Sequence, residues 1–181
     1  MLRVGDLQLS IDFYTTVLRD LTAHGEVSLP LHAGVDQVLT LGTEWVESKL
    51  DDPSANTQTT TAGGSVAGLT STNRSSTSSA RIFSVFAEDN IELFPGTRLT
   101  PGLRLDHHDI VGDNWSPSLN VSQVLTDTLT LKAGIARSYK APNLYQLNPN
   151  YLLYSNGQGC YGSTKSCYLQ GNADLEAETS V

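Results

Sequence analysis

Apolar and polar residues alternate along seven separate segments of this chain, and this alternation constrains the fold more than any other feature. A period of two is typical of half-buried β-strands, because successive side chains of a strand point to opposite faces. No comparable helical periodicity is present. The sequence therefore predicts an all-β, antiparallel chain. The segments run over 7–13, 23–31, 39–45, 83–93, 99–105, 117–125 and 129–136.

The connections between these predicted strands alternate in length. Short connections at 32–37, 94–97 and 126–128 alternate with longer ones at 51–80, 108–115 and 141–172. In sequential antiparallel strands every second connection lies at the same end of the sheet, so one end carries the turns and the other the loops. Outer-membrane β-barrels show this asymmetry, with short periplasmic turns and long extracellular loops. The pattern favours a segment of an antiparallel, up-and-down transmembrane β-barrel.

The polar side of the predicted strands is rich in small and charged residues, which suits a water-filled lumen. A soluble sheet also has one polar face, so a secreted β-sandwich, serving as an adhesion or carbohydrate-binding module, is the alternative. The longest unbroken apolar run has four residues, 151–154, whereas a membrane helix needs about 20. The residues expected to face inward are Thr40, Gly42, Glu44, Thr100, Gly102, Arg104, Asp106, Ser118, Asn120, Ser122, Thr130, Lys132, Gly134 and Ser138.

Charge and motifs exclude several functions. The formal net charge of −8 argues against a nucleic-acid-binding protein, which needs clustered Lys and Arg. His107 and His108 are neighbours on a predicted strand, so they point to opposite faces and do not converge on a metal. No nucleotide-binding or hydrolase motif is present. We therefore expect no enzyme activity, no catalytic residues, no bound metal and no cofactor.

Residues 128–173 form the most distinctive segment. It contains no Asp or Glu, and six of the seven tyrosines of the chain lie within 139–168. An acid-free surface with cations and tyrosines suits an anionic aromatic ligand, since the cations attract charge while the rings stack and donate hydrogen bonds. The alternative is that the tyrosines stiffen a loop or form an interfacial belt.

Two further features concern the long loops. Residues 51–80 are nearly all Ser, Thr, Gly, Asn and Ala, with Arg74 as their only cation. This segment is either a mobile, solvated loop or one in which Arg74 contacts an anionic ligand. Cys160 and Cys167 are the only cysteines. An isolated pair is a poor zinc site, so we expect a disulfide, which indicates export to an oxidising compartment.

Several motifs resemble the barrel of TonB-dependent siderophore receptors, and specifically the catecholate branch, the ferric-enterobactin receptors. The resemblance is strong over 81–180, and a weaker likeness lies in LTLGTEW (39–45) and DPS (52–54). The matching motifs are TPGLRLDHH (100–108), VGDNWSP (111–117), GIARSYKAPNLY (134–145), NPNYLLYSNGQGCY (148–161) and GNADLEAETS (171–180).

The resemblance implies a bacterial outer-membrane protein with a barrel of ~22 strands and an N-terminal plug. The chain holds about seven predicted strands, so we expect residues 1–181 to be a partial barrel domain, without plug, that transports nothing alone. The implied ligand is an iron(III)–siderophore complex, with the TonB complex, outer-membrane lipid, and colicins or phage as partners. The expected ligand contacts are Tyr154, Tyr161 and Tyr168, then Tyr145 and Tyr151, with charge from Lys140, Lys165 and Arg74 and a loop shaped by Cys160 and Cys167.

Overall fold

The chain forms a six-stranded antiparallel sheet in which each strand pairs with the next along the sequence. The computed structural model describes residues 15–53, 74–155, 158, 160 and 166–181. Six of the predicted strands fall within this sheet, and the one predicted at 7–13 lies outside the described residues. A meander of this kind is the wall of an up-and-down barrel, which confirms the predicted fold class. The strands are β1 (Val17–His32), β2 (Asp36–Asp51), β3 (Thr77–Phe94), β4 (Thr97–His108), β5 (Gly112–Thr126) and β6 (Leu129–Ala136).

Shorter elements follow the main sheet. Strand β7 (Ser138–Lys140) pairs with β10 (Glu178–Ser180), and β8 (Leu152–Ser155) pairs with β9 (Cys167–Gln170), both antiparallel. A single helical turn, α1 (Leu144–Leu147), lies between β7 and β8. Among the described residues, no helix has the length and apolarity to cross a membrane.

The connections largely follow the predicted asymmetry. At one end the strands are joined through 33–35, 95–96 and 127–128, with Gly34 and Gly96 at positive φ (84° and 78°). The opposite end carries the long connection 52–76, since β3 begins at Thr77 rather than after residue 80. The long loop predicted at 108–115 is wrong, because only 109–111 separate β4 from β5. Its polar residues are typical of loops, but here Asn114 pairs with Asp106 inside the sheet.

The two faces of the sheet differ as the alternation predicts. The apolar face is open, with Phe83, Leu131 and Ile135 exposed by 49%, 60% and 63%. A soluble sandwich would bury these side chains in a closed core, whereas a barrel exposes them to lipid. The exposed apolar face therefore excludes the β-sandwich alternative. The buried apolar residues of the described chain are Leu50, Ala80, Leu147 and Leu152.

The opposite, inner face carries a connected polar network. The Arg104 guanidinium donates through Nη2 to Glu44 Oε1 (2.7 Å) and through Nε to Asp106 Oδ1 (2.7 Å). Ser84 Oγ also donates to Asp106 Oδ1 at 2.6 Å. The ring of Phe86 lies 5.9 Å from the guanidinium carbon and packs over Gly42, where a Cβ would overlap it. Glu44, Arg104 and Asp106 thus face inward, as predicted.

Candidate functional site

The candidate site lies at the loop end of the sheet, where α1 is held by a capping box. Asn143 Oδ1 accepts a hydrogen bond from the backbone N–H of Gln146, and Gln146 Oε1 accepts one from the N–H of Asn143, both at 2.9 Å. This reciprocal cap satisfies two amides that a helix start leaves unpaired. The short helix therefore has a defined start, which fixes the position of Tyr145.

Tyr145 joins two segments that are distant in sequence. Its hydroxyl donates to Asp52 Oδ2 at 2.9 Å, although the two residues are separated by 93 positions. Asp52 is only 5% exposed. The ring of Tyr145 also lies 4.9 Å from the ring of Tyr151, tilted by 60°. This geometry is favourable for an aromatic pair. We call Asp52, Arg74, Tyr145 and Tyr151 the loop cluster.

Burial and the nearby Asp52 carboxylate raise the pKa of both tyrosines of this pair. Burial, together with the hydrogen bond to Asp52 and its negative charge, raises the pKa of Tyr145 to about 12. Burial, and then the charge of Asp52, raises the pKa of Tyr151. The Tyr145 hydroxyl already donates its single proton to Asp52, so in this pair the Tyr151 hydroxyl is the one that can donate a hydrogen bond to an anion.

Arg74 contributes an unusual cation to the loop cluster. Its Nη1 donates to the carbonyl oxygen of Asn150 at 3.5 Å, next to Tyr151. Its Nε and Nη2 atoms are buried and have no hydrogen-bond partner among the described residues. These two atoms form one edge of the guanidinium, the edge that binds paired anionic oxygens in a bidentate manner. A buried cationic donor without an acceptor is costly, so this edge is suited to an anionic ligand.

The second aromatic pair lies on the β8–β9 hairpin, close in sequence to the first. Tyr154 and Tyr168 are directly opposite each other in the register, with ring centroids 5.3 Å apart and planes tilted by 59°. On the same face the fully buried Leu152 anchors the hairpin. Cys160 and Cys167 form the predicted disulfide, with an Sγ–Sγ distance of 2.12 Å, so the hairpin is also closed covalently.

Comparison with known proteins identifies the family. Residues 3–181 match the family described as "TonB dependent receptor-like, beta-barrel". The chain belongs to this family. The TonB-dependent receptors are barrels of the bacterial outer membrane, which agrees with the lipid-type outer face of the sheet and with the localisation predicted from the sequence. The motif-based identification was therefore correct.

Two curated relatives are ferric siderophore receptors. The chain is 76% identical over 169 residues to the ferric enterobactin receptor of Pseudomonas aeruginosa, covering 93% of this chain and 23% of that protein. It is 59% identical over 173 residues to the ferrienterobactin receptor of Escherichia coli, covering 94% of this chain and 23% of that protein. The chain thus spans about a quarter of the length of the receptors that it matches.

A solved structure shows the same arrangement of strands. A crystal structure of a variant of the P. aeruginosa ferric enterobactin receptor in complex with enterobactin matches this chain with a TM-score of 0.84 and 75% identity. The match covers 92% of this chain and 24% of that chain. The six-stranded sheet is therefore a sector of a TonB-dependent receptor wall.

The structure places the predicted contact residues of this receptor segment in different environments. Tyr145, Tyr151 and Arg74 belong to the loop cluster, and Tyr154 and Tyr168 form the hairpin pair. Lys140 is exposed on β7 and lies opposite Glu178 in the register. Tyr161 and Lys165 lie outside the described residues.

Sequence reasoning missed Asp52. Residues 128–173 contain no acid, but folding brings the Asp52 carboxylate from the other long connection against Tyr145. The even spacing of Tyr154, Tyr161 and Tyr168 also does not set which rings meet, because the register of the hairpin pairs Tyr154 with Tyr168. The resemblance of DPS (52–54) to the receptor family was the one available signal for Asp52.

Proposed function

We propose that this chain forms part of the wall and outer loops of a receptor that takes up a ferric catecholate siderophore, similar to ferric enterobactin, with energy delivered through TonB. The observation that carries the proposal is the 76% identity to a ferric enterobactin receptor over 93% of the chain. The relatives are receptors rather than enzymes, so we assign no reaction to the chain. Binding of colicins or phage by the same loops belongs to this proposal as a prediction.

In this proposal the iron is cargo, carried inside its chelator. Among the described residues, no group of three or more His, Cys, Asp or Glu could hold a metal ion. The loops would instead contact the outside of an anionic, aromatic complex. The bidentate edge of Arg74 supplies positive charge. The Tyr145–Tyr151 pair supplies two rings and, from Tyr151, a neutral hydroxyl donor.

The hairpin pair would provide the second aromatic surface. The rings of Tyr154 and Tyr168 are 5.3 Å apart and partly exposed, so each has ring surface left for a ligand. Tyr161 would extend this surface, and Lys140 and Lys165 would add positive charge. The disulfide between Cys160 and Cys167 would hold the hairpin in shape.

The proposal is tested in a complete receptor. We define the chimaera as the P. aeruginosa ferric enterobactin receptor in which this chain replaces the matching segment. Replacing Tyr154, Tyr161 and Tyr168 together by Ala is expected to weaken ferric-enterobactin binding at least tenfold, since each aromatic contact contributes about 0.5–1.5 kcal/mol. Tryptophan fluorescence quenching measures the affinity.

One control variant separates ligand contacts from hairpin stability, and one further variant tests the charge of Arg74. Leu153→Ala alters the opposite face of the same hairpin and is expected to leave the affinity unchanged. Arg74→Gln removes the bidentate charge and is expected to weaken binding of the anionic complex about tenfold. Unchanged affinity in the triple tyrosine variant would remove the aromatic-contact assignment, and failure of the parent chimaera to bind would remove the proposed function.

A further inference from the structure

Like charges face each other on the outer surface of the wall. Arg19 of β1 and Lys49 of β2 are direct cross-strand partners, and both side chains lie on the outer, apolar face. Like charges directly opposite each other destabilise a sheet. Lys49 Nζ forms an ion pair with Glu47 Oε2 at 3.0 Å, and Arg81 Nε lies 2.9 Å from Oε1 of the same residue. Arg19 has no ion-pair partner among the described residues.

Arg19 and Lys49 line an open surface cavity. Its volume is about 440 Å³, and it is lined by Arg19, Lys49, Asp51, Thr77 and Ser79 among others. Asp51 accepts a hydrogen bond from Ser76 Oγ at 2.8 Å. Ser79 adds a hydroxyl that can donate a hydrogen bond, and Thr77 Oγ1 lies 2.9 Å from Ser75 Oγ. Cations beside hydroxyl donors are the groups with which proteins bind phosphate.

The position of the cavity relative to the membrane indicates which phosphate it meets. Trp45 and Phe83 are cross-strand partners on the same face, and aromatic residues mark the membrane–water interface of a barrel. Lys49 follows Trp45 by four residues, which is about 13 Å along a strand and about 10 Å in height at the usual tilt. The cavity therefore lies at the level of lipid headgroups, on the side of the long loops.

The distribution of cations over the two faces supports this placement. Strands β1 to β6 lie wholly within the described residues and contain six Lys or Arg. By the alternation of side chains along their strands, three of these cations lie on the inner face: Arg98, Arg104 and Lys132. Arg19, Lys49 and Arg81 are on the outer face, and all three lie at the loop end. If these cations served only to keep the protein soluble, those on the outer face would not all be expected at the loop end of the sheet.

We propose that Arg19 and Lys49, assisted by Arg81, bind the phosphate-bearing headgroup of a lipid of the outer leaflet. The acyl chains of this lipid would lie on the apolar face below, and its phosphate would offset the repulsion between the two facing cations. The site is on the outside of the wall and is separate from the loop cluster, so it does not depend on the proposed siderophore binding.

The test uses the delipidated chimaera in detergent and diphosphoryl lipid A as the probe. Native mass spectrometry is expected to show retention at least tenfold stronger than for lipid A without phosphates. R19Q/K49Q is expected to lose this preference, and R19K/K49R to restore it. The control R98Q/K132Q removes two cations from the inner face and is expected to keep it. Ferric-enterobactin binding by R19Q/K49Q, measured in parallel, is expected to be unchanged.

Two results would overturn the proposal. One is equal retention of lipid A by R19Q/K49Q and the parent. The other is full displacement of lipid A by millimolar inorganic phosphate, which would show a site for the free anion rather than for a lipid. A melting temperature for each variant confirms that the barrel is intact, and R19K/K49R keeps the conclusion independent of any folding defect.

Discussion

The hydrogen bond between Tyr145 and Asp52 is expected to couple the two long connections of the loop end. Tyr145→Phe removes one hydroxyl and keeps the ring that packs against Tyr151. Asp52 is 5% exposed, so the lost bond is not readily replaced by water. We expect the segment around α1 to open more often in this variant, while the sheet is unaffected.

Two estimates of the magnitude agree. A net hydrogen bond to a charged group contributes about 1.5–3 kcal/mol, and a partly exposed tyrosine places the bond at the lower end. The pKa of Tyr145, raised from 10.0 to about 12, sets a ceiling of about 2.7 kcal/mol at 1.36 kcal/mol per unit. Burial is the largest cause of that shift and remains in the variant. We therefore expect a loss of about 1.5 kcal/mol, which corresponds to roughly tenfold more frequent opening.

Hydrogen exchange measures this opening in the chimaera. The informative amides are those of Leu147, which donates to Asn143 O at 3.0 Å, and Asn172, which donates to Gln146 O at 2.6 Å. Both amides are expected to exchange about tenfold faster in Tyr145→Phe and in Asp52→Asn than in the parent chimaera. In the double variant they are expected to exchange no faster than in either single variant. Tyr151→Phe is the matched control. Exchange rates that do not change in either single variant, or effects that simply add, would refute the coupling.

Three further predictions concern pH and the inner wall. The pKa of Tyr145 in the folded protein is raised to about 12. The contribution of Tyr145 to folding stability is therefore complete below pH 10 and is lost as the pH rises through 12. In an ultraviolet titration of the tyrosines, the component with the highest pKa is expected to disappear in Tyr145→Phe. Gly42→Ala is expected to lower the free energy of unfolding of the chimaera, measured in urea, by about 1–2 kcal/mol, because the new methyl overlaps the ring of Phe86. Gly25→Ala is the control. Its Cβ would lie 3.9 Å from the nearest neighbour, so it is expected not to lower the free energy of unfolding. Arg104→Gln removes the cation from a network with two inner-wall carboxylates, one of them Asp106, which is buried. Because Arg104 itself is partly exposed, the expected cost is about 1–2 kcal/mol, between the values for exposed and buried ion pairs. Arg98→Gln breaks a pair 3.8 Å apart in which both side chains are about half exposed, and it is expected to cost less than about 1 kcal/mol in the same unfolding experiment.

The wall was predictable from the sequence because a strand needs only a period of two to assign its faces. The inward positions of Glu44, Arg104 and Asp106 follow from parity alone. The same reasoning placed a long loop at 108–115, because Asp, Asn and Gly are common in loops. In a barrel these residues are also tolerated on a wet inner face, so polarity does not distinguish a strand near the rim from a loop.

The loop end was less predictable for a related physical reason. Its contacts join residues far apart in the chain, such as Asp52 and Tyr145, and no periodicity encodes them. Composition indicated an acid-free, tyrosine-rich surface. It did not show that an acid from another connection, Asp52, accepts a hydrogen bond from Tyr145 and holds it in place. It also did not reveal that Nε and Nη2 of Arg74 are buried without a hydrogen-bond partner among the described residues, because burial depends on the folded structure.

The scarcity of buried apolar side chains connects these two regions. Only four hydrophobic residues of the described chain are buried, and two of them, Leu147 and Leu152, belong to the loop end rather than to the wall. The apolar side chains of the wall are stabilised by lipid, which any apolar residue can contact, so substitutions there are tolerated if the period of two is kept. The loop end lies in water and must hold its shape through specific contacts, namely a capping box, a tyrosine–carboxylate bond and a disulfide. The loop end, where the contacts are specific, therefore has the defined geometry that a ligand can recognise. The wall holds the loop end in position and orients it.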